Sequence, residues 1–144
     1  MRNKHDEHCK AIADRLEAIA DSKMYKCPEC GEWIEWNDNQ YDDESESYTC
    51  QECGATFDES DLEAVSFYDY FENALDIDYI TNSKKEYKAC RIMVAFGGPN
   101  IYINTWERKV ELYWWNESGS FYLSGDACDA IDDVMQEYFY NMEV

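Results

Sequence analysis

Apolar residues recur at helical spacing near the start of the chain: Ile12, Leu16 and Ile19, joined by Ala13 and Ala20, with charged positions between them. That period predicts an amphipathic helix over 4–21 with a narrow apolar stripe. Residues 60–75 carry a second helical pattern through Leu62, Val65, Phe67, Phe71 and Leu75, opened by a Ser60-x-x-Glu63 capping box. Beyond it the period changes. A short run at 76–80, then KACRIMVAF, IYINT, VELYWW and FYLS, read as strands separated by turns at GGPN, WERK and NESGS. Such runs, joined by Gly, Asn and Pro turns, imply an antiparallel meander. The chain closes on 125–141, where Cys128, Ile131, Val134, Met135, Tyr138 and Phe139 keep helical spacing and Asp126, Asp129, Asp132, Asp133 and Glu137 are left facing out. This last helix can cover one face of the meander.

Between the first two helices, 25–58 holds two cysteine pairs around an acidic, Ser-containing stretch of turn-like composition at 37–47. The expected organisation is an N-terminal helix at 1–24, a cysteine module at 25–58 and an α+β domain at 59–144. A chain of 144 residues supports one main core beside such a module. With 45% hydrophobic and 16% aromatic residues it holds too much apolar material to remain wholly disordered. No apolar run approaches the roughly 18 to 20 residues of a membrane span, and MRNKHDEHCK has no apolar core of a signal peptide. The expectation is a soluble protein of the cytoplasm.

Charge narrows the function. Asp and Glu number 32 against 12 Lys and Arg, a net charge of -20. Binding to a phosphate backbone by counterion release needs the opposite sign, so direct nucleic-acid binding is disfavoured and a basic partner protein is favoured. The charges are also segregated. From Cys27 to Ser83 there are 17 acids and no Lys or Arg, and from Val110 to the end eight acids and again no Lys or Arg. This makes patches of one sign rather than a mixed surface.

The most specific motif is a pair of C-x-x-C-G knuckles, Cys27-Pro28-Glu29-Cys30-Gly31 and Cys50-Gln51-Glu52-Cys53-Gly54, with 19 residues between the inner cysteines. Tetrahedral zinc takes four soft ligands, and each knuckle presents two thiolates to one ion while the following Gly lets the chain turn around the sulfur. The spacing matches a zinc ribbon whose two short hairpins would use Trp33, Ile34, Trp36, Tyr48 and Phe57. Iron in a rubredoxin-like site is an alternative, as are two redox-active dithiols, which need a thioredoxin-like context absent here. No open coordination position is suggested, so the site is read as structural. Cys9, Cys90 and Cys128 are unmatched in spacing, and seven cysteines fit a reducing compartment. His5, His8 and Cys9 are read as a polar helix start rather than a second metal site.

Catalytic motifs are missing. The only histidines are His5 and His8, which leaves Ser and Cys nucleophiles without a partner base, and the phosphate, dinucleotide and zinc-protease signatures are absent. The Gly97-Gly98-Pro99-Asn100 run reads as a hairpin turn before a phosphate nest. Trp106, Tyr113, Trp114 and Trp115 read as sheet core before a ligand groove. No enzyme is expected.

What remains is acidic surface. Carboxylates three or four positions apart on a helix lie about 5 to 6 Å apart at Cβ, comparable to successive phosphates on a strand. Asp129, Asp132, Asp133 and Glu137 on the last helix, and Asp42, Asp43, Glu44 and Glu46 in the module's loop, are the candidate partner-binding residues. Small size, strong acidity, the four cysteines and the stretch ACRIMVAFGGPNIYINTWERKVELYWWNESGSFYLSGDACDAIDDVMQEYF give a chain that resembles proteins of Gram-positive prophages and mobile elements. Over residues 25–142 it is most similar to zinc-containing anti-CRISPR proteins. The resemblance implies a stoichiometric binder of the type II RNA-guided nuclease rather than an enzyme, and the acidic rows add the expectation of a DNA mimic that occupies the nuclease's basic surface and blocks loading of target DNA. A zinc-ribbon adaptor of a transcription or replication machine is the competing expectation.

Overall fold

The computed structural model describes residues 3–35, 41–42, 47–50, 53–58 and 63–141. The architecture is α+β, with antiparallel sheets throughout. Helix α1 (Lys4–Ala20) is opened by Asn3, whose side chain accepts from the Asp6 N–H at 2.8 Å while the Asp6 carboxylate accepts from the Asn3 N–H at 3.1 Å. Six short strands follow: β1 (Met24–Lys26), β2 (Trp33–Glu35), β3 (Tyr41–Asp42), β4 (Ser47–Thr49), β5 (Thr56–Phe57) and β6 (Glu63–Ala64). They form two three-stranded sheets, ordered β2-β1-β6 and β3-β4-β5. The remaining elements are α2 (Phe67–Tyr70), β7 (Asp76–Thr81), β8 (Tyr87–Ala95), β9 (Asn100–Asn104), β10 (Lys109–Trp114), β11 (Glu117–Tyr122) and α3 (Gly125–Asn141).

Strands β7 to β11 make the expected meander, a five-stranded sheet in chain order. Side chains alternate across its pleat. Ile92, Ile103, Val110 and Leu112 point to one face and are fully buried, together with Leu16 of α1 and Ile131 and Met135 of α3. Helix α1 lies across β10 and β11, α3 packs on β8 and against α1, and one core forms beneath both helices. The two helices are tied at their ends by Glu17, whose carboxylate accepts from the backbone N–H and the hydroxyl of Ser124, both at 2.8 Å. The Ser124 hydroxyl in turn caps α3 by accepting from the Ala127 N–H at 3.0 Å.

Two local expectations give way. Instead of a helix over 60–75, Glu63 and Ala64 pair as a strand with Lys26 and Tyr25 of β1, and the helix is the single turn at Phe67–Tyr70. The predicted cap at Ser60 lies outside the described residues. A second box wins: Ser66 accepts from the Asp69 N–H, and the Asp69 carboxylate accepts from the Ser66 N–H at 2.9 Å. Lys26 Nζ reaches that carboxylate at 3.0 Å, so an ion pair between residues distant in sequence joins β1 to α2. The predicted NESGS turn shrinks to Trp115 and Asn116, because Trp114 already pairs with Glu117 and Glu117–Tyr122 continues as strand. Among the described residues, no helix is long and apolar enough to cross a membrane.

Candidate metal centre and acidic surface

Each cysteine knuckle is built the same way. The Cys27 N–H donates to the Glu32 carbonyl at 2.8 Å and the Gly31 N–H to the Cys27 carbonyl at 3.0 Å; in the second, Cys50 N–H donates to Ala55 and Gly54 N–H to Cys50, both at 2.9 Å. Gly31 and Gly54 take φ of 77° and 75°, the left-handed conformation that side chains disfavour and that turns the chain back around the sulfurs. The first cysteine of each knuckle is buried and the second exposed. Equal local geometry in two segments so far apart in sequence is what one shared ligand requires.

The four sulfurs meet. All lie within 4.8 Å of one another, with Cys27 to Cys53 at 3.7 Å and Cys30 to Cys50 at 3.8 Å. Sulfurs bound about 2.3 Å from one tetrahedral ion stand roughly 3.8 Å apart, so Cys27, Cys30, Cys50 and Cys53 fit a thiolate-bound metal. The four are free thiols at separations far beyond a bond. Beneath them Tyr48 stacks on Phe57 with ring centroids 6.2 Å apart, and with Ile34 they form a small core separate from the main one. Burial opposes ionisation of Cys27, yet the N–H groups of Cys30 and Glu29 outweigh it and bring the thiol down to about 7. The Glu32 N–H pulls on Cys30, but burial and the neighbouring thiols push it up to about 12. A cation relieves this mutual repulsion by taking all four as thiolates.

On α3, Asp126, Asp129, Asp133 and Glu137 line the exposed side, and Glu137 accepts from the Tyr68 hydroxyl. Asp132 turns the other way. Its Oδ1 accepts from the Tyr87 hydroxyl at 2.6 Å and from Thr105 Oγ1 at 2.8 Å, anchoring α3 to β8 and to the turn after β9. Spacing could not reveal this, since Asp132 stands between two outward acids and its partners come from other elements. In the module's loop, Asp42 is a backbone position of β3, and Asp43, Glu44 and Glu46 lie outside the described residues.

Cys9 sits in the core with no exposure, which pushes its thiol up to about 11, and His5 turns to Glu117 at 3.1 Å, so these residues do not converge on an ion. Gly97, Gly98 and Pro99 lie in the β8–β9 turn, and Asn100 opens β9. Trp106 and Trp115 are 62% and 86% exposed, against the expectation that they fill the core. Sequence reasoning also missed Glu111, 5% exposed on the open face of the sheet. It is held by Tyr113 at 2.5 Å, Asn104 at 3.0 Å and Arg91 at 3.3 Å, while Arg91 stacks 3.7 Å from the Tyr102 ring centroid. Comparison with protein families, curated proteins and solved structures finds no match to this chain.

Proposed function

We propose that this chain is a zinc-stapled, non-enzymatic binder that places acidic surfaces on the basic nucleic-acid channel of a type II CRISPR nuclease and blocks loading of target DNA. The observation carrying this reading is the outward row Asp126, Asp129, Asp133 and Glu137 on α3 of a chain with net charge -20. Carboxylates on successive turns repeat at about the spacing of phosphates, and a channel that holds a heteroduplex through its backbone is complementary to such a row. The cysteine module serves as a zinc ribbon, a scaffold that folds its hairpins around the ion and carries further acids in its loop. The bacterial host cytoplasm is the compartment where thiols stay reduced and such a nuclease works.

The test is target cleavage by guide-loaded nuclease, with the protein added before or after target DNA and DNA binding followed in parallel. Inhibition only when the protein comes first, with loss of DNA binding, supports blocked loading. Charge reversal of Asp129, Asp133 and Glu137 together should weaken it, and rising salt should weaken the parent's inhibition and narrow the difference between the two. No effect in either order across several nucleases overturns the reading. It leaves the second one, a zinc-ribbon adaptor for a transcription or replication protein, which the paired knuckles favour by themselves.

A further inference from the structure

Along the flank of α1 that faces the β8–β9 turn, three hollows of about 270, 200 and 270 Å³ adjoin. His8 is a wall of the first and second, and Ile12 and Tyr70 are walls of the second and third, so they form one trough. Its floor is apolar: Leu112 and Trp114 at one end, Ile101, Val94 and Ala74 at the other.

The trough's rim has the opposite sign to the rest of the molecule. Lys4, His8 and Arg15 fall on one stripe of α1, at spacings of four and seven residues, and all three line the hollows. Three of the helix's four acids are engaged elsewhere: the Asp6 carboxylate accepts from Ser120 N–H, Glu17 holds Ser124, and Asp14 pairs with Lys10, while the fourth, Glu7, is exposed one turn from Lys4. Among the described residues, Lys4 and Arg15 have no ion-pair partner, a condition shared with Lys23, Lys84, Lys85, Lys88 and Arg108, but Lys4 and Arg15 line these apolar hollows. Unpaired cations are thus left over an apolar channel that follows roughly 16 Å of helix.

We propose that this trough is a binding site for a single-headed anionic amphiphile, a carboxylate on an alkyl chain. The apolar floor takes the chain, and Lys4 with His8, one turn apart above Leu112 and Trp114, takes the head, while Arg15 further along the floor adds to the local positive potential. One charge is the favourable number. A polyanion meets the field of the whole chain, whereas beyond about 8 Å at physiological salt that field is screened and a lone carboxylate feels mainly the nearby cations. The site stands apart from the acidic row on α3 and from the cysteines, so its test is independent of the nuclease reading.

The probe is dodecanoate below its micellar concentration, titrated calorimetrically into the full metal-loaded protein. Saturable one-site binding is expected. Dodecanol should bind about tenfold more weakly and dodecyltrimethylammonium more weakly still. The double variant Lys4→Glu, Arg15→Glu, two surface changes, should lose about tenfold or more, while Lys84→Glu, Lys85→Glu leaves the affinity unchanged. A chemical-shift map should place the ligand at Ile12, Trp114 and Ile101. Equal binding of the cationic and anionic heads, indifference to the double reversal, a map centred elsewhere or no saturable binding each overturns the proposal.

Discussion

The backbone of His5 lies so close over Gly119 that a Cβ on the glycine would sit 2.5 Å from the His5 carbonyl carbon. Gly119 is the middle of β11, opposite Leu112, and the absent side chain is what lets the first turn of α1 settle onto the sheet edge. Two contacts depend on that approach, Asp6 to the Ser120 N–H at 2.9 Å and Asn3 Nδ2 to the Ser118 carbonyl at 3.3 Å.

Gly119→Ala therefore forces backbone, not a flexible side-chain tip, to move. We expect a loss of about 1–3 kcal/mol, the range for overpacking, concentrated in faster amide exchange across the start of α1. Ser118→Ala, one position away and outward, is the control. A Gly119→Ala protein as stable as the parent would show that α1 is not held this tightly.

Asp132 and Glu111 are both shielded carboxylates, but their pH effects have opposite signs. At Asp132 burial dominates and raises the pKa, helped by Asp129 and Asp133, while the bonds from Tyr87 and Thr105 only partly offset it. The folded protein then holds this proton more tightly than the unfolded chain does. Its contribution is most favourable in acid and declines as pH rises from about 3.8 through the folded value. Asp132→Asn keeps an oxygen acceptor for both hydroxyls without the charge, so at pH 7 it should be neutral or stabilising by about 1 kcal/mol, the gain fading toward pH 4. Asp132→Ala takes the carboxylate from the Tyr87 hydroxyl and leaves the Thr105 hydroxyl only its bonds to the Cys90 backbone, and should lose about 1–3 kcal/mol. Thermal melts of the three proteins at pH 4 and 7 decide the matter, and a destabilised Asn variant at pH 7 would contradict the sign.

At Glu111 burial again pushes upward, but Tyr113, Asn104 and Arg91 outweigh it and hold the carboxyl below its usual value. This stabilisation is present above the unfolded pKa near 4.5 and is lost as pH falls through the folded one. Glu111→Gln should lose about 1–3 kcal/mol at pH 7, since Arg91 keeps its charge without a partner, and the deficit should shrink below pH 4. A pH-independent deficit would point to shape rather than charge.

Elements carried by dense local pattern were legible in the sequence. The helix at 125–141 and the meander follow from periods that packing reinforces, and the cysteine set follows from the spacing of its two knuckles. Where the sequence misled, distant partners decided. Glu63 and Ala64 have a helix-compatible pattern, but β1 offers them hydrogen bonds and Ser66 offers the next helix a better start. Asp132 looks outward by its neighbours and turns inward because Tyr87 and Thr105 wait beneath it. The shared face of Lys4, His8 and Arg15 follows from helical spacing, but the apolar floor beside it is supplied by distant strands, through Val94, Ile101 and Leu112.

The cysteine module and the meander have separate cores, which makes metal removal a local event. The module's own apolar cluster is Tyr48, Phe57 and Ile34 around Cys27 and Cys50, too small to hold three-residue strands without a staple. Zinc bound to such sites contributes on the order of 10 kcal/mol, so without it the hairpins should unfold. The main core from Cys9 to Met135 includes none of the four knuckle cysteines and should persist. Cys27→Ser and Cys50→Ser are each expected to abolish stoichiometric metal and collapse amide dispersion over 27–57, while the resonances of β8 to β10 and α3 stay in place. Strong chelation of the parent should do the same, reversibly. Metal analysis identifies the ion, and a colourless protein with one zinc per chain excludes the iron alternative. If chelation unfolded the whole chain in one transition, the packing of Met24 and Trp33 on the main core and the Lys26–Asp69 pair would be coupling the knuckles to that core more strongly than expected.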